Sequence, residues 1–206
     1  MYDESIAALR KAMLYDGANK DGRIPYVLGK AYFRSGPSFA DSAIIYLEKA
    51  KKLGYSAPDL NEFLGLAYAS VKDYRNSVAA FTQALQPDQE PSDLLLLAIA
   101  KSYLGLEEND TARAYLYQCI EKTKDVELRA QARIFLAKLF VSEGKNQEAM
   151  EQYLAIVAEN DQNAEAHYQL GELYANAGDS IKARSEWRKT LKIDPNHGPA
   201  RTRLSI

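Results

Sequence analysis

The sequence predicts an all-α fold built from repeated helix–turn–helix units, and three observations predict it. An aliphatic-small pair followed three residues later by an aromatic recurs as Leu28-Gly29 with Tyr32, Leu64-Gly65 with Tyr68, Ile99-Ala100 with Tyr103, Leu136-Ala137 with Phe140 and Leu170-Gly171 with Tyr174. The small residue thus falls at 29, 65, 100, 137 and 171, at intervals of 36, 35, 37 and 34. In phase with it runs a second pattern: Ala43/Leu47/Ala50, Ser77/Phe81/Ala84, Ala112/Leu116/Cys119, Ala149/Tyr153/Ile156 and Ala183/Trp187/Thr190. Residues at i, i+1 and i+4, or at i, i+4 and i+7, share one face of a helix. Third, proline and glycine punctuate the halves where helices start and stop.

Residues 1–16 carry only a second-helix pattern, Ser5/Leu9/Ala12, and are assigned to a partial repeat. Five full repeats follow at 22–57, 58–92, 93–129, 130–163 and 164–197. Pro25, Pro58 and Pro91 open first helices, where a missing N–H costs nothing. Gly36, Gly144 and Gly178 sit just past first helices, where a left-handed residue ends them. Asn109-Asp110 and Asp179-Ser180 read as caps of the following helices. Extra residues near Gly36–Ser42 and Lys122–Asp125 lengthen a turn and a linker. Residues 198–206 begin a further first helix, with Leu204-Ser205 as its trace. The apolar Leu204 and Ile206 suit a buried end or a piece of a longer array. Each small residue lets two helix backbones approach, and the large residue of the facing helix fills the space.

Composition narrows the function. The chain has 206 residues, 47% apolar and 26% charged, as in an ordinary globular protein. Its net charge of −2 gives no bulk electrostatic grip on nucleic acid or an anionic membrane. Cys119 is the only cysteine, so neither an intrachain disulfide nor a Cys-rich zinc site can form. The longest apolar run, Leu94 to Ala100, is far below the roughly 20 residues that span a membrane. The N-terminus has acids early and no apolar signal core, which favours a soluble, cytoplasmic chain.

The pattern is similar to that of the tetratricopeptide repeat (TPR) family, W-x2-L-G-x2-Y…A-x3-F…P with a period of about 34. Tyr168, Gly171, Tyr174, Ala183, Trp187 and Pro195 carry it, with His167 where the first aromatic belongs. The resemblance covers essentially the whole chain. It implies a right-handed superhelical solenoid of antiparallel helix pairs, whose first helices line a concave groove.

No reactive constellation accompanies the repeats. His167 stands at a packing position, His197 in a linker, and Cys119 in a slot for a small residue. HExxH, phosphate-loop and GxSxG motifs are absent. The acidic stretch Glu107-Glu108-Asn109-Asp110 lacks calcium-loop spacing. The chain is therefore expected to be non-enzymatic, with no catalytic residue, metal or cofactor. Lys49-Lys51-Lys52 and Arg201-Arg203 are short basic groups of solvated faces, so no nucleic-acid partner is expected.

The resemblance implies which residues face the groove. They are Tyr26, Lys30 and Phe33 in the first full repeat, Glu62 and Leu66 in the second, and Leu97 and Lys101 in the third. The fourth contributes Ile134, Lys138 and Val141, and the fifth Tyr168 and Glu172. Lysine recurs just after the small residue in three repeats, among apolar neighbours. Such a groove suits a protein or peptide segment with apolar and acidic groups. The TPR subclass that grips chaperone C-termini uses Lys, Asn and Arg. Here Tyr26 and Lys30, Phe63, and Leu97 and Lys101 stand at those places, so that function is not expected. The alternative is a structural module of a larger assembly, contacting neighbours through the solenoid ends or convex face.

Overall fold

The computed structural model describes residues 2–14, 21–85 and 90–205, which form helices joined by turns and short irregular segments. Helix α1 spans Tyr2–Ala12, α2 Arg23–Arg34 and α3 Ala40–Lys52. A 3-10 turn at Pro37–Phe39 absorbs the extra residues between α2 and α3. Then come α4 Leu60–Ser70, α5 Tyr74–Ala84, α6 Asp93–Gly105 and α7 Asn109–Lys122. The remainder is α8 Val126–Ser142, α9 Asn146–Glu159, α10 Ala164–Asn176, α11 Ser180–Ile193 and α12 Gly198–Leu204. The chain divides into two compact units, Met1–Tyr115 and Leu116–Ile206, with the boundary inside α7. Ser5 and residues 15, 16 and 206, which the repeat pattern assigned to the end helices, lie outside the residues whose side chains are described.

In the first unit α2 packs on α3 and α4 on α5, while α1 covers α2, and α4 and α6 follow α3 and α5. The small residues act as expected. A Cβ on Gly29 would lie 2.6 Å from Leu47 Cγ, and one on Gly65 would lie 2.4 Å from the Phe81 ring. Both large partners are fully buried. Ser77, in the small slot of α5, keeps its hydroxyl satisfied by donating to Gly65 O at 2.8 Å. Its oxygen also lies 2.9 Å from Ser102 Oγ, so the buried polar pair is hydrogen-bonded rather than orphaned. Ile6 of α1 is buried against Leu28, Tyr32 and Ala43.

In the second unit α8 pairs with α9 and α10 with α11, and α12 lies on α11. Gly171 repeats the device, for a Cβ there would meet Trp187 Nε1 at 2.4 Å. Ala183 and Trp187 are buried with Ala200 and Leu204, so α12 covers this part of the core.

Five helix–helix turns share one hydrogen-bond pattern: one follows α3, where Tyr55 N returns to Ala50 O and Gly54 N to Lys51 O with Gly54 at φ 75°, and four join the two helices of a repeat. The N–H groups of Asp73, Glu108, Lys145 and Asp179 return to the carbonyls of Tyr68, Tyr103, Phe140 and Tyr174 at 2.9–3.0 Å. Those of Lys72, Glu107, Gly144 and Gly178 return to Ala69, Leu104, Val141 and Ala175. This is the Schellman closure, and it needs a left-handed residue before the last donor. Gly144 and Gly178 supply it as expected, with φ of 74° and 84°. Lys72 and Glu107 supply it in the first unit, each at φ 61°, without glycine's freedom.

Two details of punctuation differ from expectation. Pro58 and Pro91 stand before the caps Asp59 and Ser92 rather than inside helices, and Pro25 is the third residue of α2. The reason at α6 is Ser92, whose Oγ accepts from Leu95 N at 3.1 Å and so fixes the start two residues later, at Asp93. Asn109 and Asp110 belong to the first turn of α7, where Asp110 accepts from Arg113. Asp179 caps α11 as expected, accepting from Lys182 N at 3.0 Å.

Candidate partner-binding face

The candidate residues sit on first helices, held there by the small-large packing just described. In the first unit, Tyr26 and Lys30 are one turn apart on α2 and meet Asp59 at the start of α4. Tyr26 OH donates to Asp59 Oδ1. Lys30 Nζ donates to Asp59 Oδ2 at 2.6 Å and to Tyr26 OH at 2.9 Å. The ammonium also lies 4.9 Å from the Tyr26 ring centre and 4.6 Å from that of Phe63. Phe63 meets Phe33 edge-on at 5.5 Å, which joins α2 to α4 on this face.

These contacts govern the charges. Burial works against the Asp59 carboxylate, but the bonds from Lys30 and Tyr26 outweigh it and hold Asp59 below the usual carboxylate range. Burial likewise opposes the Lys30 ammonium, and the bonds to Asp59 and Tyr26 overcome it, raising Lys30. Burial, followed by the nearby Asp59 charge, pushes the Glu62 carboxyl up. Leu66 is half-buried, packed on the cluster of Phe81, Leu95 and Ile99. Leu97 and Tyr26 are buried, at 6% and 9% exposure, so their side chains complete the core between helices instead of standing open. Lys101 is exposed on α6.

In the second unit, Lys138 of α8 is exposed and pairs with Glu165 of α10 at 3.1 Å. Val141 is 44% exposed, and Ile134 is half-buried. Glu172 of α10 takes both nitrogens of the Arg203 fork, Nε at 2.9 Å and Nη2 at 2.5 Å. Tyr168 is half-buried beside His197, with ring centres 4.8 Å apart. Burial, then the Glu172 charge, raises the Tyr168 hydroxyl.

One arrangement recurs in these three places. A charge on one first helix is matched by an opposite charge on the next first helix: Lys30 with Asp59, Lys138 with Glu165, Glu172 with Arg203. Lys30 and Lys138, both expected to meet a partner, are thus already bonded within the chain. Asp59 and Glu165 escaped the sequence reading because the motif offsets do not mark them; Phe63 was marked only as the residue at one place of the chaperone-gripping subclass, and Arg203 only as a solvated cation, whereas it pairs with Glu172.

The residues weighed for chemistry have structural tasks. His167 is fully buried, with Nδ1 2.6 Å from Glu186 Oε2 and Nε2 3.1 Å from both the carbonyl and a carboxylate oxygen of Asp161. His197, which had no evident partner in the sequence, caps α12 by accepting from Ala200 N at 3.2 Å. Cys119 is buried. Among the described residues no group of His, Cys, Asp and Glu side chains could hold a metal ion. None of the described helices is long and apolar enough to cross a membrane.

Comparison with known proteins points the same way. Residues 66–205 match the family model described as the Tetratricopeptide repeat-like domain. The anaphase-promoting complex subunit CDC16 of Saccharomyces cerevisiae is 26% identical over 180 residues, 84% of this chain and 21% of that protein. The ancillary SecYEG translocon subunit of Buchnera aphidicola subsp. Acyrthosiphon pisum is 27% identical over 104 residues, 50% of this chain and 53% of that one. The chain therefore spans about a fifth and about half of the lengths of these two relatives. Among solved structures, YrrB, a TPR protein with an unusual peptide-binding site, superposes with a TM-score of 0.69 at 23% identity. The match covers 97% of this chain and 98% of YrrB.

Proposed function

We propose that this chain, which belongs to the tetratricopeptide repeat-like family, is a non-enzymatic interaction module that holds a peptide or protein segment against its first helices. The observation that carries the reading is the character of that face. Half-exposed apolar side chains, Phe33, Phe63 and Leu66 in one unit and Ile134 and Val141 in the other, alternate with fixed ion pairs. A face prepared in this way offers contact area without ordering many flexible side chains on binding, which favours affinity. On the first unit a bound segment presents apolar side chains to Phe33 and Leu66 and an acidic group to Lys101; on the second it presents an apolar side chain to Val141 and an acidic group to Lys138, with Glu165 as the competitor there. YrrB's peptide-binding site supports the class of function and leaves the ligand to be found.

The test is a pull-down from a native lysate, read by mass spectrometry, with wild type against Lys101→Glu/Lys138→Glu at matched helicity and melting. Selective loss of a partner supports the reading. Retention of every partner removes the lysines from it. A second reading, a structural module of a multiprotein assembly, draws on the likeness to a subunit of the anaphase-promoting complex. It predicts partners that survive substitution of the first-helix face and depend on other surfaces.

A further inference from the structure

Helix α11 carries a row of cations that its own unit leaves uncompensated. Arg184, Arg188 and Lys192 follow one another at four-residue spacing and are all exposed. At about 100° per residue they fall, with Ile181, within one sector of about 80°. This sector lies opposite the buried Ala183, Trp187 and Thr190. Ile181 is 85% exposed, an apolar side chain at the head of the row. Like charges one turn apart destabilise a helix, so some neighbouring acid would be expected. The nearby acids are engaged elsewhere: Asp179 pairs with Lys182 at 3.0 Å, and Glu186 with Lys189 at 2.9 Å and His167 at 2.6 Å. Among the described residues no acid lies within ion-pair distance of Arg184, Arg188 or Lys192. The imbalance is regional, because residues 180–205 hold seven of the chain's 26 basic side chains and only two of its 28 acidic ones.

We propose that this face of α11 is a docking surface for an acidic protein segment carrying an apolar side chain for Ile181. Charge complementarity and size select the occupant. The row from Ile181 to Lys192 is about 16 Å long at 1.5 Å per residue, the length of a short helical segment. The rest of the chain is net acidic and repels a long polyanion or an anionic membrane, while a short acidic peptide touches only the row. The surface is distinct from the first-helix face, and neither proposal needs the other.

Fluorescence anisotropy of the whole protein with a labelled nine-residue peptide of three Glu-Glu-Leu repeats tests the assignment. A peptide of three Gln-Gln-Leu repeats is the control. Wild type is compared with Arg184→Glu/Arg188→Glu/Lys192→Glu and with the neutral Arg184→Gln/Arg188→Gln/Lys192→Gln. A charge-matched variant on another helix, Lys49→Glu/Lys51→Glu/Lys52→Glu, completes the set. The proposal expects binding of the acidic peptide alone, weakened about tenfold or more in both α11 variants, within about twofold of wild type in the α3 variant, and falling with salt. Absence of binding to wild type overturns it, as does an equal loss in the α3 variant. A short DNA duplex or phosphatidylserine vesicles that bind wild type more tightly than the peptide, through the same residues, overturn the choice of partner.

Discussion

The four Schellman turns that join the two helices of a repeat make opposite predictions for the two units. Lys72 and Glu107 occupy the left-handed position at φ 61°, and Gly144 and Gly178 occupy it at 74° and 84°. A side chain in that conformation costs about 1–2 kcal/mol, while glycine forfeits roughly 0.5–1 kcal/mol through the freedom of its unfolded chain. The difference leaves about 0.5–1 kcal/mol in favour of glycine. Lys72→Gly and Glu107→Gly are therefore expected to stabilise by about that amount each. Gly144→Ala and Gly178→Ala are expected to destabilise by the same amount. A Cβ at either glycine meets nothing within 4 Å, so backbone conformation alone sets the cost. Urea unfolding followed by circular dichroism measures all four, read as midpoint shifts at constant slope. In a chain of this size each change corresponds to roughly 1–4 °C in Tm. Glycine variants that are neutral or worse at 72 and 107, with harmless alanines at 144 and 178, would refute the reasoning.

Three further outcomes follow from packing and titration. Gly171→Ala drives a methyl into Trp187, whose Nε1 and Cδ1 lie 2.4 and 2.5 Å from the added carbon. We expect a loss of about 1–3 kcal/mol in chemical unfolding, and about 3–5 kcal/mol for Trp187→Ala. Asp59 titrates below its ordinary value through Lys30 and Tyr26, so its stabilisation is complete above the unfolded value and is lost as pH falls through the lower folded one. Asp59→Asn should flatten that part of the acid limb in urea midpoints measured across pH 2 to 5; an unchanged limb refutes the pairing. Burial and then the Glu48 charge push Tyr68 up to about 12 from 10.0. Its contribution is whole below pH 10 and lost as pH rises towards 12, and Tyr68→Phe should remove one late-titrating tyrosine from the absorbance curve near 295 nm.

Much of the fold was legible in the sequence because packing fixes the motif offsets. Gly65 must be small since Phe81 lies against it, and Gly171 since Trp187 does, so each pair announces itself by spacing. The turns were half legible: Gly144 and Gly178 mark their left-handed positions, whereas Lys72 and Glu107 adopt that conformation under hydrogen-bond constraint and carry no composition signal. The candidate face was legible by position more than by chemistry. Lys30 and Lys138 stand where the repeat puts them, but their partners Asp59 and Glu165 belong to the start of the following first helix, outside the repeated offsets. Tyr26 and Leu97 have the right register and are nonetheless buried; Tyr26 packs with Leu60 and Leu64 of the next first helix. Side-chain burial between neighbouring helices is a tertiary outcome that periodicity within one helix does not encode.

The central claim, a segment held by the first helices, is tested most directly by site-specific photocrosslinking. A benzoylphenylalanine at position 33 or 141 samples the proposed face; at position 45 or 154 it samples second helices, where Ile45 and Leu154 are 64% and 41% exposed. After irradiation in a native lysate, the account predicts within each unit that the first-helix position, 33 or 141, yields a crosslinked partner mapped to a short segment of it, and that the second-helix position, 45 or 154, does not. Crosslinks to that partner from 45 or 154 alone would contradict the claim.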